Sequence, residues 1–140
     1  MEFLMQKSME QIGIGELSQR TNCNVETIRY YEKIAILNKP DRTSGGHRVY
    51  GEVQIKRLSM ILKCRQLGFA IEEIRGLLSL VDGGIATCAE VKHITEGQLS
   101  EVQRKMADLK KMEKTLKNMV AQCSGSKVPE CPILDVLYAA

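Results

Sequence analysis

A long heptad pattern between Cys88 and Cys123 constrains the fold more than any other feature of the sequence. With Cys88 at heptad position a, apolar residues recur at or beside the a and d positions. They are Val91, Leu99, Val102, Met106, Leu109, Met112, Leu116, Met119 and Val120. Such a stripe, flanked by Lys and Glu, is typical of one long helix packed on a partner helix. Together with a capping box at Thr87 and Glu90, it predicts a dimerisation helix over 87–122.

The cysteine spacing predicts how that helix pairs. Cys88 and Cys123 are 35 positions apart (123 − 88), so they would be about 52 Å apart along one helix at about 1.5 Å per residue. Two thiols at that distance cannot bind one ion, whereas antiparallel pairing of two copies places Cys88 of one chain beside Cys123 of the other. Cys131 follows across a short loop and can fold back to the same place. The pattern predicts an antiparallel homodimer with two three-thiolate sites, each formed between chains.

Composition limits the classes of protein that this chain can belong to. Its 140 residues allow one compact domain and a helical extension, and 4% aromatic content without Trp predicts an aliphatic, mainly α-helical core. No apolar run reaches membrane-spanning length, and residues 1–11 lack the order of a secretion signal and are expected to be a loose tail. Five cysteines in a chain expected to be cytoplasmic favour metal or redox chemistry over structural disulfides.

The first half of the chain carries the signals of a nucleic-acid-binding domain. Residues 1–70 hold 11 Lys and Arg against 7 Asp and Glu, a balance of +4, whereas residues 71–140 hold 9 against 10. A short helix over 14–21, a polar turn and a second helix that follows the N-cap Asn24 predict a helix-turn-helix. The second helix of this motif enters the major groove of DNA.

A β-hairpin is predicted to follow the second helix. Pro40 ends helical structure, and a Ser-Gly-Gly turn lies between short β-prone segments in residues 37–50, which we call the wing. The wing carries side chains that can donate hydrogen bonds to phosphates and sugars, namely Arg42, His47, Arg48 and Tyr50. Helices over 52–67 and 71–81 and a hinge over 82–84 complete a winged helix-turn-helix domain at residues 12–82.

Three runs of sequence resemble the MerR family of bacterial transcription regulators. They are VETIRYYE from Val25, GGHRVY from Gly45 and CRQLGFAIEEI from Cys64. Cys88, Cys123 and Cys131 look like the metal-binding set of the heavy-metal branch of this family, and the run RKMADL from Arg104 is similar to the mercury-resistance regulators. The resemblance covers the chain from about residue 12 to residue 137.

The resemblance implies a homodimer on a promoter whose −35/−10 spacer is too long. Without metal it would hold the promoter inactive, and with metal it would distort the DNA so that RNA polymerase engages both elements. Carried over by position, the DNA contacts would come from Arg29, Tyr30, Arg42, Arg48 and Tyr50. His47 joins this set, although other members often have tyrosine at that position.

The expected metal follows from the donor atoms. Three thiolates without His or Asp in residues 123–131, the predicted metal-binding loop, make a soft site of low coordination number, and a last short helix completes the segment 123–140. Hg(II) is therefore the first choice as effector, and Cd(II), Pb(II), Zn(II) and Cu(I) are the alternatives. Zinc normally takes four ligands, and the Cys-x7-Cys loop has the length seen in copper sensors, one residue shorter than in the usual mercury regulator. A reversible Cys123–Cys131 disulfide would make a thiol redox switch on the same scaffold.

Two cysteines and two other function classes stand outside the metal-site prediction. Cys23 and Cys64 lie among apolar positions and are expected to be buried small hydrophobes. An enzyme that uses Cys88 as nucleophile is disfavoured, because no base stands at useful spacing. A drug-binding regulator is disfavoured because nine residues follow Cys131 (140 − 131), whereas such members carry a large C-terminal domain.

Overall fold

The fold is mainly helical in a computed structural model that describes residues 10–84, 87–123, 125 and 131–139. In chain order the elements are α1 Ile14–Thr21, α2 Val25–Lys33, β1 Asp41–Arg42, β2 Arg48–Val49, α3 Glu52–Gln66, α4 Ile71–Gly83, α5 Cys88–Gln122 and α6 Pro132–Tyr138. The chain divides into two compact units, Met1–Ile94 and Thr95–Ala140. Most of the expected tail and most of the expected metal-binding loop fall outside the described residues.

Helices α1 and α2 form the predicted helix-turn-helix. The Asn24 side chain accepts a hydrogen bond from the Glu26 backbone N–H at 2.7 Å, which confirms Asn24 as the N-cap of α2. Asn22 ends α1 in the left-handed region at φ 53°, and a polar side chain tolerates this conformation better than an apolar one. The tight polar turn therefore sets where α2 begins.

The wing is a short antiparallel hairpin, as predicted. Asp41 pairs with Val49 and Arg42 pairs with Arg48, and the intervening turn places Gly46 at φ 80°, which favours glycine. Beyond β2, Tyr50 exchanges two backbone hydrogen bonds of 2.9 and 2.8 Å with Ile12. The hairpin is thereby tied to the segment that precedes α1.

The core of the first unit is aliphatic and includes two thiols. Its fully buried side chains come from every helix of the first unit up to α4 and include Leu17, Ile28, Leu58, Ile61 and Ile74. Cys23 and Cys64 are buried in the same cluster, which confirms their prediction as small hydrophobes. Burial raises the pKa of both thiols, so neither is poised to act as a thiolate.

Two arginines from later helices hold the segment that leaves α2. Arg75 donates to the Ile34 carbonyl and Arg57 donates to the Ile36 carbonyl, both at 2.8 Å. Between these two carbonyls lies Ala35, which adopts the left-handed conformation at φ 61°. The backbone turn after α2 thus depends on side chains that lie 21 and 41 residues later in the chain.

The predicted hinge at 82–84 is wrong in its first two positions. Asp82 and Gly83 are the last residues of α4, and Gly84 ends the helix in the left-handed region at φ 66°. The Arg57 guanidinium binds both carboxylate oxygens of Asp82, at 2.7 and 3.1 Å. Since this pair secures the last turn of α4, the helix continues past the point where the glycines predicted its end.

Helix α5 is the long helix predicted from the heptads, with 35 residues. Its capping box is present: the Glu90 carboxylate accepts from the Thr87 N–H at 2.7 Å, and Thr87 Oγ1 accepts from the Glu90 N–H at 3.3 Å. Within the described part of the chain, no helix is both long enough and apolar enough to cross a membrane.

Candidate functional site

The outer face of α2 carries the residues that the sequence assigns to DNA. Ile28, Tyr31 and Glu32 of α2 are buried, whereas Arg29 and Tyr30 point outward, and Tyr30 is 52% exposed. This division follows from helical periodicity, since the apolar residues on one side pack into the core of the unit. The exposed side of α2 therefore offers a guanidinium and a phenol to a binding partner.

A cationic cleft of about 270 Å³ separates α2 from the wing. The residues that line it are Arg29, Glu32, Lys33, Lys39, Pro40, Arg42 and Arg48. Five of these seven are cations and one is an anion, so the cleft suits an anionic ligand such as a nucleic-acid phosphate. Sequence reasoning missed Lys33 and Lys39, although Lys33 lies one helical turn after Arg29 and could have been found from that spacing.

The tip of the wing is exposed and is held by its own side chains. The Arg42 Nη1 donates to the Gly46 carbonyl at 2.9 Å, which braces the turn. The backbone N–H of His47 donates to Thr43 Oγ1 at 3.2 Å, and the His47 side chain is exposed. Arg42 and His47 are therefore placed where a partner outside the domain can reach them.

Tyr50 is buried in the structure of the single chain, whereas the sequence predicted a DNA contact at this position. Its side chain is 0% exposed, and its hydroxyl donates a hydrogen bond to the buried carboxylate of Glu32. Burial, reinforced by the adjacent Glu32 carboxylate, raises the pKa of Tyr50 to about 12. Backbone pairing with Ile12 keeps Tyr50 extended beyond β2, and alternate residues of an extended strand face the same side. Because Tyr50 lies two positions after Arg48, its ring faces α2 and the core as Arg48 does.

Arg48 lies between the core and the cleft. Its Nη1 donates to Glu32 Oε2 at 2.7 Å, while the side chain retains 32% of its surface exposed. The other oxygen of Glu32 accepts the Tyr50 hydroxyl. One buried carboxylate on α2 thus holds two side chains from the wing.

The three cysteines assigned to metal stand at helix boundaries. Cys88 is the first residue of α5, Cys123 follows its last residue, and Cys131 is the N-cap residue of α6. All three are free thiols, two of them exposed and Cys131 half-buried. In the described part of a single chain, no three Cys, His, Asp or Glu side chains lie close enough to hold one ion.

Helix α5 presents an exposed apolar stripe. Its members beyond the first turns of the helix are Leu99, Val102, Met106, Leu109, Met112, Leu116 and Val120. Met119 is buried. A contiguous apolar surface of this kind normally marks an interaction site rather than a solvated face.

Comparison with known proteins decides the family. A model for MerR HTH family regulatory proteins matches residues 13–80, and one for MerR DNA-binding regions matches residues 55–119. A mercuric resistance operon regulatory protein from Bacillus cereus is 38% identical over 125 residues, which span 89% of this chain and 95% of that protein. The chain belongs to the MerR family. Because this family consists of helix-turn-helix transcription regulators, the expectation that the chain is not an enzyme is confirmed.

Other MerR-family proteins are similar over nearly their whole length. The transcriptional regulator HmrR from Rhizobium leguminosarum bv. viciae is 37% identical over 126 residues, 90% of this chain and 97% of that protein. The crystal structure of PbrR691 from Ralstonia metallidurans CH34 in complex with lead(II) has a TM-score of 0.78 and 36% identity. It aligns with 90% of this MerR-family chain and with 98% of its own. The fold and the order of the elements are therefore those of the MerR family.

Proposed function

We propose that the chain is a metal-responsive transcription regulator that binds promoter DNA as an antiparallel homodimer. The observation that carries this proposal is the position of three free thiols, Cys88, Cys123 and Cys131, at the boundaries of α5 and α6. In this assignment residues 12–82 bind DNA, 87–122 dimerise, and 123–140 form the metal-binding loop and last helix, after a tail at 1–11.

DNA binding is assigned to α2 and the wing. Arg29 and Tyr30 on the exposed side of α2, with Arg42, His47 and Arg48 on the wing, would reach bases and phosphates from two sides of the cationic cleft. Arginine suits this role because its planar guanidinium makes paired hydrogen bonds to guanine edges and phosphates. A family of DNA-binding regulators and a positively charged cleft support the same ligand.

Dimerisation is assigned to the exposed stripe of α5. The stripe follows the heptad spacing, and an identical antiparallel helix would cover it with an identical stripe. Because Cys88 and Cys123 occupy the two ends of the same seam, this pairing would bring Cys88 of one chain beside Cys123 of the second copy. A second copy is therefore both the cover for the stripe and the source of the missing ligands.

The donor atoms fit a soft metal ion. Three thiols, each accessible at least in part, offer sulfur ligands, and sulfur ligands select soft metal ions. Hg(II) remains the first choice, supported by the mercuric resistance regulators among the relatives. Pb(II) is the strongest alternative, because the PbrR691 structure contains lead(II), and Cd(II), Zn(II) and Cu(I) complete the set to be tested.

The regulatory step would couple the thiolate site to promoter geometry. Metal would tie Cys88 of one chain to the loop and last helix of the other and favour one arrangement of the two DNA-binding domains over another. That arrangement would distort the promoter so that RNA polymerase, the further partner in the bacterial cytoplasm, engages both promoter elements. Such coupling requires that metal bind one dimer shape more tightly than the other.

The first experiment is anaerobic titration of the reduced protein with Hg(II), Pb(II), Cd(II), Zn(II) and Cu(I) against a competing thiol. Thiolate-to-metal absorption would report one ion per three-cysteine site, and Cys88→Ser, Cys123→Ser and Cys131→Ser would each abolish it. Cys23→Ala is the matched control, because that thiol is buried in the core and has no role in the site. Tight uptake that survives all three serine variants would contradict the assignment.

Mixed dimers test whether the site forms between chains. Neither Cys88→Ser nor Cys123→Ser alone should bind metal tightly. After exchange of the two variants, each mixed dimer would hold one intact site, made of Cys88 from the Cys123→Ser chain and Cys123 and Cys131 from the other. Recovery of tight binding on mixing supports sharing between chains, whereas no recovery with verified exchange would contradict a three-cysteine site shared in this way.

A further inference from the structure

Glu32 of α2 carries a buried carboxylate, and direct contact with an anionic ligand does not explain why an acidic residue stands there. Its side chain is only 7% exposed, although it lies on α2 between the outward-facing Tyr30 and Lys33. An ionised carboxylate in the core is costly unless it is fully paired. Glu32 also lines the cationic cleft, where its negative charge would oppose the binding of a phosphate.

Both oxygens of this carboxylate are occupied by the wing. Oε2 accepts from the Arg48 guanidinium at 2.7 Å, and Oε1 accepts from the Tyr50 hydroxyl. Tyr50 is itself anchored by its backbone pairing with Ile12 and by complete burial of its ring. The carboxylate therefore has one fixed partner and one partner that emerges at the surface.

Arg48 is the partner that reaches the cleft. With one nitrogen held by Glu32, the guanidinium has a defined orientation, and its side chain is among those that line the cleft. A flexible arginine loses side-chain entropy when it binds a phosphate, and an arginine that is already oriented loses less. The link from Glu32 to Arg48 thus prepares the wing for its ligand before the ligand arrives.

We propose that Glu32 is a positioning residue for DNA binding, which acts by holding Arg48 in the orientation in which it takes a backbone phosphate. Tyr50 fixes the carboxylate from the other side and sets the distance between α2 and the wing. The inference rests on the proposed function of α2 and the wing as a DNA-binding surface. It assigns an anionic residue a favourable effect on the binding of a polyanion.

The direction in which Glu32→Gln changes the affinity for DNA tests this inference. Glu32→Gln keeps a carbonyl oxygen for the Tyr50 hydroxyl but presents an amide donor to the Arg48 guanidinium, so it breaks the link to Arg48 selectively. Glu26→Gln is the matched control, because it removes the same charge from an accessible position on the same helix. Charge removal alone predicts that both variants bind DNA more tightly, whereas positioning predicts that only Glu32→Gln binds more weakly.

The probe is a duplex selected from a randomised library by the unsubstituted protein, with a scrambled duplex for comparison. At fixed salt, Glu32→Gln should weaken binding of the selected duplex about fivefold or more, and the effect should shrink to less than about twofold in the Arg48→Ala background. A purely structural role would weaken binding equally in both backgrounds. Circular dichroism and urea unfolding verify that each variant is folded.

The outcomes separate this inference from the function on which it rests. If the unsubstituted protein selects no duplex, the proposed function fails. If it binds but Glu32→Gln tightens binding as Glu26→Gln does, or the effects of Glu32→Gln and Arg48→Ala are additive, the positioning role is overturned. Should Glu32→Gln not fold, Tyr50→Phe replaces it in the same cycle with Arg48→Ala, since it frees the carboxylate while the ring stays in the core; additive effects there would also overturn the role.

Discussion

The Tyr50 hydroxyl donates a hydrogen bond to the Glu32 carboxylate, and this bond joins the wing to α2 beneath the protein surface. Both side chains are buried, so neither can exchange its partner for water without opening the domain. A hydrogen bond to a buried charged acceptor contributes more to stability than one between neutral groups.

Replacement of Tyr50 by Phe should lower the free energy of unfolding by about 2 kcal/mol at neutral pH, within the range for hydrogen bonds to charged groups. Because folding raises the pKa of Tyr50 to about 12, its ionisation favours the unfolded chain between about pH 10 and 12. The stability from this hydroxyl is therefore complete below about pH 10 and is lost as pH rises through about 12.

Urea unfolding at fixed protein concentration measures both effects. The difference between the unsubstituted protein and Tyr50→Phe should be constant up to about pH 9.5 and should close toward about pH 12. Tyr138→Phe is the control, because that side chain is 85% exposed. A difference that widens with rising pH would contradict the raised pKa.

Lys33 and Lys39 should contribute to DNA affinity through phosphates and not through sequence. Each replacement by Gln should reduce the slope of log K against log salt by about 0.9 for each phosphate that the variant no longer neutralises, with little change in the preference for one duplex over another. Lys56→Gln makes the same charge change at an exposed position that does not line the cleft. Equal slopes for all three variants would exclude a phosphate-binding cleft.

The apolar stripe of α5 should be essential for dimers. Leu109 is 61% exposed in the single chain, and burial of a leucine stabilises by about 1.5–3 kcal/mol. Leu109→Glu, which also places charge in the seam of both chains, should weaken dimerisation by about a hundredfold or more. Sedimentation equilibrium measures this, with Lys110→Glu on the outer side of the helix as control. A dimer that tolerates Leu109→Glu would mean that another surface pairs the chains.

The ion pair between Arg57 and Asp82 should stabilise the end of α4 except in acid. Hydrogen bonds from the Arg57 guanidinium lower the pKa of Asp82 below its ordinary value. The contribution is thus present above the ordinary pKa of an aspartate and is lost as pH falls through the lower, folded value. Carbon-detected NMR titration of the Asp82 carboxyl group tests the direction, and Arg57→Gln should return the midpoint toward the ordinary value. An unchanged midpoint in Arg57→Gln would assign the shift to another cause.

Local signals were sufficient for most of the secondary structure. The Asn24 cap, the Thr87–Glu90 box and the heptads after Cys88 each depend on residues within a few turns of one another. The end of α4 was misplaced because its last turn is secured by Arg57, which lies 25 residues earlier in the chain. Gly83 and Gly84 predicted that the helix ends before both of them. With this distant interaction in place, α4 includes Gly83 and ends only at Gly84.

In the candidate site, too, some residues could be placed from the sequence and others could not. The outward positions of Arg29 and Tyr30 follow from the period of one helix, and so could be predicted. Tyr50 could not be placed, because a tyrosine on a short hairpin can face either a ligand or the core. The decision depends on the carboxylate of Glu32, a residue 18 positions away, and on the backbone pairing with Ile12.

By itself the sequence determined the helical class, the helix-turn-helix and its wing, the long helix with its apolar seam, and the membership in the MerR family that its motifs indicate. These properties are encoded by periodicity, caps and turns, which act over a few residues. Only the tertiary structure decided that Tyr50 and Glu32 are buried together and that Glu32 orients Arg48. It also decided that Lys33 and Lys39 complete a cationic cleft. Such pairings join side chains that are distant in sequence, and whether a polar group faces solvent or a buried partner depends on the packing that brings them together.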